Sequence, residues 1–185
     1  MEGSSLGSDS SLEETKGSSV EGSSELGSSL GSGSSLEGSS EGIEGSSVYL
    51  KAGDVYTVEE LLYGLMLRSG NDCAIAIAEH ISGSVQNFSI LMNQKARELG
   101  LFNTNFVTPH GLDDSNHFTT AYDLAILTNY ALKNSNFKKI VSTQHYIISF
   151  NGSPREITNT NELLGNLDGV YGVKTGFTFE DGRSL

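Results

Sequence analysis

The feature that most constrains the fold is an abrupt change in composition near residue 47 of the 185-residue chain. Residues 1–47 contain eighteen serines and ten glycines and lack aromatic residues, whereas residues 48–185 have the mixed composition of a globular domain. A segment so poor in apolar side chains cannot bury enough surface to offset the ~1–2 kcal/mol per residue that backbone ordering costs. We therefore expect one folded domain, formed by the residues that follow this boundary.

The first part of the chain repeats one tetrapeptide. The sequence EGSS occurs at irregular intervals, which excludes a solenoid of fixed period, and its copies lie at 2–5, 21–24, 37–40 and 44–47. We predict a Ser/Gly/Glu low-complexity segment over 1–41 and a folded domain over 42–185. Two interpretations are open for residues 1–41. The segment is a flexible acidic linker or tail, or its copies are degenerate or mis-assigned repetitions of a native final copy within GIEGSSVYL at 42–50.

Charge and cysteine content exclude several classes of function. The net charge of −12 divides into −8 over residues 1–47 and −4 over residues 48–185, so the folded part is mildly acidic. No Lys/Arg-rich stripe is available to neutralise phosphates, and we predict no nucleic-acid binding. The single cysteine, Cys73, excludes an internal disulfide and lies in an apolar run typical of a buried structural thiol.

The histidines and the apolar runs predict no metal and no membrane span. His80, His117 and His145 have no acidic or histidine partner at metal-ligand spacing, so we predict neither a metal nor another cofactor. His110 is interpreted as a loop residue that fixes its own turn rather than as a base. No stretch approaches the ~20 apolar residues of a membrane span, and the sequence after Met1 does not read as a secretion signal.

Two helices are predicted after residue 57. Thr57 and Glu60 have the spacing of a capping box and precede an apolar helical face. Asp72 stands near the start of a second helix that runs to about residue 81, where its charge suits the positive end of the helix dipole.

Two more helices and an ordered loop are predicted further along the chain. The third helix covers about 85–99, between Ser84 and Gly100. The side chains that we expect it to bury are Phe88, Leu91, Met92 and Leu99. Residues 101–118 are dense in Asn, Asp, Pro and Gly and predict an ordered loop, in which the adjacent Asp113 and Asp114 form a solvated turn. The fourth helix begins with Thr120 and Asp123 at capping spacing.

The last third of the chain carries strand signals. Residues 139–142 and 145–150 are β-rich, and Asn151-Gly152 predicts a turn. The Gly-punctuated run GVYGVKTGFTF at 169–179 predicts a strand that contains Lys174-Thr175-Gly176. Helices followed by strands, with little alternation, favour an α+β fold with an antiparallel sheet.

Two separated triplets carry the chemistry. Ser69-Gly70-Asn71 interrupts the apolar run of 64–80 and places a hydroxyl and an amide at a helix junction. Lys174-Thr175-Gly176 supplies a cation, a hydroxyl and a glycine that lets a substrate backbone approach closely. Either triplet alone is a weak signal. In this order they match two of the three motifs of penicillin-recognising serine enzymes. We therefore expect the two triplets to face one cleft, with Ser69 and Lys174 close enough to share a hydrogen bond or a bridging water.

Longer phrases identify a family. The sequences SSVYLKAGDVYTVEELLYGLMLRSGNDCA, NTNFVTPHGLDDSNHFTTAYDLAIL, NTNELL and GVYGVKTGFT closely resemble the D-alanyl-D-alanine carboxypeptidases. These are the low-molecular-mass penicillin-binding proteins of the S11 serine-peptidase family, and the resemblance covers about residues 43–183. It implies that 42–185 is the central part of a transpeptidase/β-lactamase-like domain, incomplete at both ends.

The resemblance also implies an activity and a location. Members of this family remove the terminal D-alanine from peptidoglycan stem pentapeptides through an acyl-enzyme and are acylated by β-lactams. They act on the extracellular face of the bacterial cell envelope. Membrane association would then come from segments absent from this chain, which has no signal or anchor.

Roles for site residues follow from the same resemblance. Ser69 would assist proton transfer to the leaving group, Asn71 would orient the substrate amide and the catalytic lysine, and Lys174 would supply positive potential. Thr175 would bind the terminal carboxylate of the substrate. Next to it, Gly176 and Phe177 would complete the substrate-binding strand, with the N–H of Phe177 as an oxyanion donor.

The nucleophile of the family is not visible in this sequence. It belongs to a Ser-x-x-Lys motif upstream of Ser-Gly-Asn, in which the lysine activates the serine. Upstream of Ser69 stand only Lys16 and Lys51, and neither is preceded by a serine at the required position. The one formal match, Ser135 to Lys138, lies in the wrong order and is predicted as a turn after a helix. The nucleophile is therefore unknown, and a catalytically inactive remnant that binds peptidoglycan peptides is the alternative function.

Overall fold

The computed structural model describes residues 43–150, 152–180 and 182–184, all of which fall within the unit Gly31–Leu185. The predictions for the low-complexity segment 1–41, and for Asn151 in the predicted turn, lie outside these described residues. Helices precede strands, as predicted from the sequence. The elements are α1 (Val58–Arg68), α2 (Asn71–Ser82), α3 (Val85–Glu98), α4 (Ala121–Ala131), α5 (Ser135–Val141), β1 (His145–Phe150), β2 (Ser153–Thr158), β3 (Gly176–Thr178) and β4 (Gly182–Ser184).

Helix α1 begins with the predicted capping box. The Thr57 side chain accepts a hydrogen bond from the N–H of Glu60, and the Glu60 carboxylate accepts one from the N–H of Thr57. The second carboxylate oxygen of Glu60 accepts from the N–H of Ser149 in β1 at 3.0 Å. One glutamate therefore satisfies the start of the helix and ties it to a strand.

Helix α1 lies between the two apolar clusters of the described core. One cluster joins α1 and α2 to the extended segment before them, and its buried members are Val48, Leu50, Leu61, Cys73, Ala76 and Ile77. The other joins α1 to α5, β1 and β2, and its buried members are Tyr63, Leu67, Ile140, Ile148 and Ile157. Burial of a large aliphatic side chain such as Leu67 or Ile148 stabilises the fold by about 1.5–3 kcal/mol. Packing around Leu67 fixes the C-terminal end of α1, where the Ser-Gly-Asn triplet begins.

The predicted bounds of α2 and α3 and the predicted start of α4 are confirmed within a few residues, but the predicted buried stripe of α3 is wrong. Of the residues of α3, Ala96 is the buried one, and Leu91 is 43% exposed. The helix is held to the following loop by polar contacts instead, because the Asn93 amide bonds both the N–H and the carbonyl of Phe106, at 2.8 and 2.7 Å. An apolar period therefore does not show by itself which face a helix buries.

The loop at 101–118 is ordered, as predicted. Asn105 and Phe118 exchange backbone hydrogen bonds across it. The buried carboxylate of Asp123, in the first turn of α4, accepts hydrogen bonds from the N–H of Asn103 at 3.0 Å and the hydroxyl of Thr104 at 2.7 Å. The loop is thus tied both to itself and to the start of α4.

The prediction of a strand at 139–142 is wrong, and so is the prediction of a turn at 135–138. Both stretches belong to or adjoin the helix α5, which Asn134 caps by accepting hydrogen bonds from the N–H groups of Asn136 and Phe137. Ile140 and Val141 are β-branched but become buried on the inner face of this helix. Local capping and tertiary packing outweigh their strand propensity here.

Antiparallel pairing is confirmed, but the strand around the second triplet is shorter than predicted. Strands β1 and β2 pair antiparallel, with Ile148 opposite Arg155, and the turn between them contains Gly152 at φ 78°. Strands β3 and β4 form a second antiparallel pair, with Phe177 opposite Arg183. Lys174 and Thr175 precede β3 rather than lying within it, because regular pairing starts at Gly176. Among the described residues, no helix has the length and apolar character needed to cross a bilayer.

Candidate functional site

Ser-Gly-Asn forms the corner between α1 and α2. Ser69 caps the C-terminus of α1 in the left-handed conformation, with φ 57° and ψ 37°, and Gly70 is the N-terminal cap of α2. The N–H groups of Ser69 and Gly70 both donate to the carbonyl of Gly64. A non-glycine residue in this region is uncommon and points to a functional constraint.

Lys174 meets this corner from a position 105 residues further along the chain. Its ammonium group donates hydrogen bonds to the hydroxyl of Ser69 and, at 2.7 Å, to the carbonyl of Thr175. Burial lowers the pKa of the Lys174 ammonium below its ordinary value, since a partly desolvated site disfavours the charged form. The predicted contact between the two triplets is confirmed.

The residues after Lys174 are more exposed. The hydroxyl of Thr175 lies 2.7 Å from the hydroxyl of Thr160. Gly176 opens β3, and the Phe177 side chain is 60% exposed, with the guanidinium of Arg183 5.6 Å from the centre of its ring. Thr160 was not predicted as a site residue, although it lies in the family-typical sequence NTNELL.

Asn71 is held by the segment that precedes α1. The side chain is 7% exposed, its amide nitrogen donates to the carbonyl of Glu44 at 2.7 Å, and its backbone N–H donates to the carbonyl of Ser46 at 2.8 Å. The site is therefore built from three parts of the chain: the stretch around 44–46, the α1–α2 corner, and the stretch that leads into β3.

Asp72 anchors the same segment. The predicted role of this residue was limited to the helix dipole. The carboxylate is 2% exposed. It accepts hydrogen bonds from the Ser47 hydroxyl at 2.6 Å and from the N–H groups of Leu50 at 3.0 Å, Val48 at 3.2 Å and Cys73 at 3.0 Å. A buried carboxylate with this many donors acts as a structural acceptor. No pattern in the sequence marks the segment 47–50 as its partner.

The remaining candidate residues have local roles. The His110 ring accepts from the N–H of Leu112 at 3.2 Å, which confirms that it fixes its own turn, and burial together with nearby His117 lowers its pKa. Asp113 and Asp114 are exposed, as predicted for a solvated turn. Within the described residues, no cluster of His, Cys, Asp or Glu is placed to hold a metal ion.

Cys73 and the formal Ser-x-x-Lys match at 135–138 also have structural environments that explain them. Cys73 is fully buried, as predicted, and burial raises the pKa of its thiol. Ser135 begins α5, and the ammonium of Lys138 lies 5.6 Å from the centre of the Tyr171 ring. The formal Ser-x-x-Lys match is thus the first turn of a short helix.

The family model described as D-alanyl-D-alanine carboxypeptidase, peptidase family S11, matches residues 30–185. The chain belongs to this family. The resemblance stated from the sequence is thereby confirmed, and the match begins somewhat before the predicted boundary at residue 43.

Curated relatives support the assignment. The chain is 43% identical over 137 residues to the D-alanyl-D-alanine carboxypeptidase DacF of Bacillus subtilis (strain 168), covering 74% of this chain and 35% of that protein. It is 41% identical over 143 residues to the D-alanyl-D-alanine carboxypeptidase of Streptomyces sp. (strain K15), covering 71% of this chain and 49% of that protein. The chain therefore spans between a third and a half of the length of these relatives.

Solved structures give the same result for the fold. The D-alanyl-D-alanine carboxypeptidase from Mycobacterium tuberculosis H37Rv matches with a TM-score of 0.77 and 32% identity, over 85% of this chain and 60% of that one. The Streptomyces K15 DD-transpeptidase matches with a TM-score of 0.71 and 37% identity, over 75% of this chain and 58% of that one. The predicted α+β, transpeptidase-like fold is confirmed.

Proposed function

We propose that the described site is the proton-transfer and carboxylate-binding side of a serine-type D-Ala-D-Ala carboxypeptidase. The reaction is removal of the terminal D-alanine from peptidoglycan stem peptides through an acyl-enzyme. The observation that carries this proposal is the hydrogen bond between Lys174 and Ser69, which joins the two triplets at a strained helix corner. The nucleophile is assigned to no residue.

The proton-transfer role belongs to Ser69. Its hydroxyl can donate one hydrogen and accept others, so it can pass a proton between a leaving amine and a neighbouring base. Lys174, whose pKa is lowered by burial, holds this hydroxyl from one side. Asn71, at the buried start of α2, has the proposed role of orienting the substrate amide.

The carboxylate-binding role belongs to the segment that leads into β3. The Lys174 ammonium bonds the backbone carbonyl of Thr175, whose side chain carries a hydroxyl, and a cation together with a hydroxyl suits a free C-terminal carboxylate. Gly176 lets a substrate backbone approach, and the N–H of Phe177 is an oxyanion donor, a group worth ~3–4 kcal/mol of transition-state stabilisation. This pairing selects peptides that end in a free carboxylate.

The alternative function is non-catalytic binding of the same peptides. The observation that favours it is that no Ser-x-x-Lys precedes Ser69 in the sequence, while the formal match at 135–138 forms the start of α5. Either function places the substrate in the cell envelope, and we propose the extracellular face as the location. Peptidoglycan pentapeptides and β-lactams are the proposed partners.

The test of this proposal is the selectivity of peptide binding, measured by calorimetry with the full chain. A peptide ending in D-Ala-D-Ala should bind more tightly than the same peptide ending in L-Ala-L-Ala, and more tightly than its C-terminal amide. Thr175→Val should weaken binding of the carboxylate peptide by about tenfold, since a charge-assisted hydrogen bond is lost. Equal affinity for all three peptides would remove the basis for both functions.

A further inference from the structure

The segment Asn159-Thr160-Asn161 contacts the site through Thr160, which has no role in the proposed function. The Thr160 hydroxyl lies 2.7 Å from the hydroxyl of Thr175, the group proposed to bind the substrate carboxylate. The backbone N–H of Thr160 donates to the carbonyl of Leu67 at 3.0 Å. Leu67 lies in the last turn of α1, two residues before Ser69. Thr160 thus touches both halves of the site.

The two asparagines hold this segment in place. The Asn159 side chain donates to the carbonyl of Thr143 at 3.0 Å and accepts from the N–H of Asn161 at 2.9 Å. The buried Asn161 side chain accepts from the N–H of Leu163 at 3.1 Å. Such side-chain-to-backbone bonds fix a turn. They leave Thr160, between the asparagines, to present its hydroxyl to Thr175 from a rigid support.

We propose that Thr160 is a positioning residue that sets the direction of the Thr175 hydroxyl hydrogen. A hydroxyl has one hydrogen to donate and two lone pairs that accept. When Thr160 donates to Thr175, the single hydrogen of Thr175 is available for the substrate carboxylate. The inference rests on the proposed function of Thr175, and it adds selectivity for a free carboxylate over a neutral terminus.

Substitutions at position 160 test whether the Thr160 hydroxyl directs the Thr175 hydroxyl. Valine has nearly the shape of threonine but has no hydroxyl, so Thr160→Val leaves the Thr175 hydroxyl without its donor. Serine keeps the hydroxyl and should restore the arrangement. A matched control exists on the loop before α4, where the hydroxyls of Thr104 and Thr119 form a similar pair at 2.9 Å, and Thr119→Val removes one of them.

The experiment compares binding of the D-Ala-D-Ala peptide and its C-terminal amide to the full chain and its variants. Thr160→Val should reduce the preference for the carboxylate peptide by about threefold, less than Thr175→Val, because the Thr175 hydroxyl keeps its hydrogen and loses only the neutral donor that directs it. Binding of the amide should change little. Thr160→Ser and Thr119→Val should keep the preference of the unmodified chain. If Thr160→Val does not unfold cooperatively on heating, Thr160→Ala takes its place with the same expectation.

The possible results separate this inference from the proposed function. If the unmodified chain shows no preference for the carboxylate, and Thr175→Val changes nothing, the proposed function fails. If the preference is present and lost in Thr175→Val but retained in Thr160→Val, the inference about Thr160 is overturned. Equal losses in Thr160→Val and Thr160→Ser also overturn it, because the hydroxyl would then not be the group that matters.

Discussion

The Lys174 ammonium is the charged group at the centre of the site, and its burial has a consequence for stability. Burial lowers the pKa of this group below the ordinary value of 10.5. Between the folded pKa and 10.5 the unfolded chain binds more protons than the folded one, so stability rises with pH across this window. The unfavourable burial of the charge is fully present below the folded pKa.

Lys174→Met tests this effect. The stability of the unmodified chain relative to Lys174→Met should rise as the pH is raised from neutral toward 10.5. Urea denaturation at a series of pH values measures the difference. Lys133→Met, at an exposed position after α4, reports the general effect of removing one positive charge from an acidic protein. A difference for Lys174→Met that stays flat or falls with pH would contradict the expected desolvation.

Asp72 has a structural role that a single substitution exposes. Each carboxylate oxygen accepts two hydrogen bonds, one set from Ser47 and Leu50 and the other from Val48 and Cys73. Asparagine keeps one oxygen and replaces the other with a donor, so two buried donors lose their acceptor. We expect Asp72→Asn to lower the free energy of unfolding by about 2–4 kcal/mol.

Asp113→Asn is the control for this substitution. It makes the same change of charge at an exposed loop position and should stay within about 0.5 kcal/mol of the unmodified chain. Urea denaturation of both variants at neutral pH gives the comparison. Similar losses in the two would mean that the acceptor role of Asp72 contributes little to stability.

At the scale of elements, helix α1 depends on Glu60. Although burial acts in the opposite direction, hydrogen bonds from Thr57 and Ser149 lower the pKa of the Glu60 carboxyl below 4.5. A carboxyl with a depressed folded pKa contributes stability that is present above its unfolded pKa and is lost as the pH falls through its folded pKa. The capping box and the tie to β1 should therefore weaken together in acid.

Glu60→Gln should show this dependence. At neutral pH we expect a loss of about 1 kcal/mol, since one of the carboxylate acceptors is replaced. The difference from the unmodified chain should shrink as the pH falls from 4.5 through the folded pKa. Glu59→Gln is the matched control, because Glu59 shares the first turn of α1 without capping it. A difference for Glu60→Gln that grows in acid would contradict the role assigned to the carboxylate.

The elements also show what the sequence could predict and what it could not. The starts of α1, α3 and α4 were predictable because each is capped by a side chain that bonds to a backbone group three residues away. The helix α5 was not predicted, although Asn134 caps it locally, because its buried Ile140 and Val141 have strand propensity that only the folded structure shows to be outweighed. Local signals predict element boundaries well where the partner groups are local.

The site shows the same difference between residues that a sequence motif marks and residues whose contacts depend on the fold. Ser69 and Lys174 were predicted to meet because two ordered triplets within long family-typical phrases identified them. The contacts of Asp72 with residues 47–50 and the contact of Thr160 with Thr175 were not predicted. Their partners lie 22 to 25 residues away for Asp72 and 15 residues away for Thr160, with no motif that links them. Hydrogen bonds between distant segments become visible only when the fold brings the segments together.

At the scale of the whole molecule, the match to the family covers residues 30–185, yet no serine is placed for activation by a lysine before Ser69. Ser69 is the first candidate for a substitute nucleophile, because its hydroxyl contacts the Lys174 ammonium. The ammonium of Lys174 donates to this hydroxyl rather than accepting its proton, however, and a base must accept. Loss of the nucleophile in a serine peptidase costs about 10⁶-fold in kcat while the binding groups remain. The chain should therefore bind its peptide without being acylated.

Treatment of the chain with penicillin, followed by intact-protein mass spectrometry, tests this expectation. We expect no stable gain of one ligand mass, because a β-lactam is retained only when an activated serine opens its ring. Ser69→Ala, treated in parallel, should give the same spectrum. A mass gain in the unmodified chain that disappears in Ser69→Ala would make Ser69 the nucleophile and contradict its role in proton transfer. A gain that persists in Ser69→Ala would place an activated serine elsewhere, and peptide mapping of the adduct would locate it.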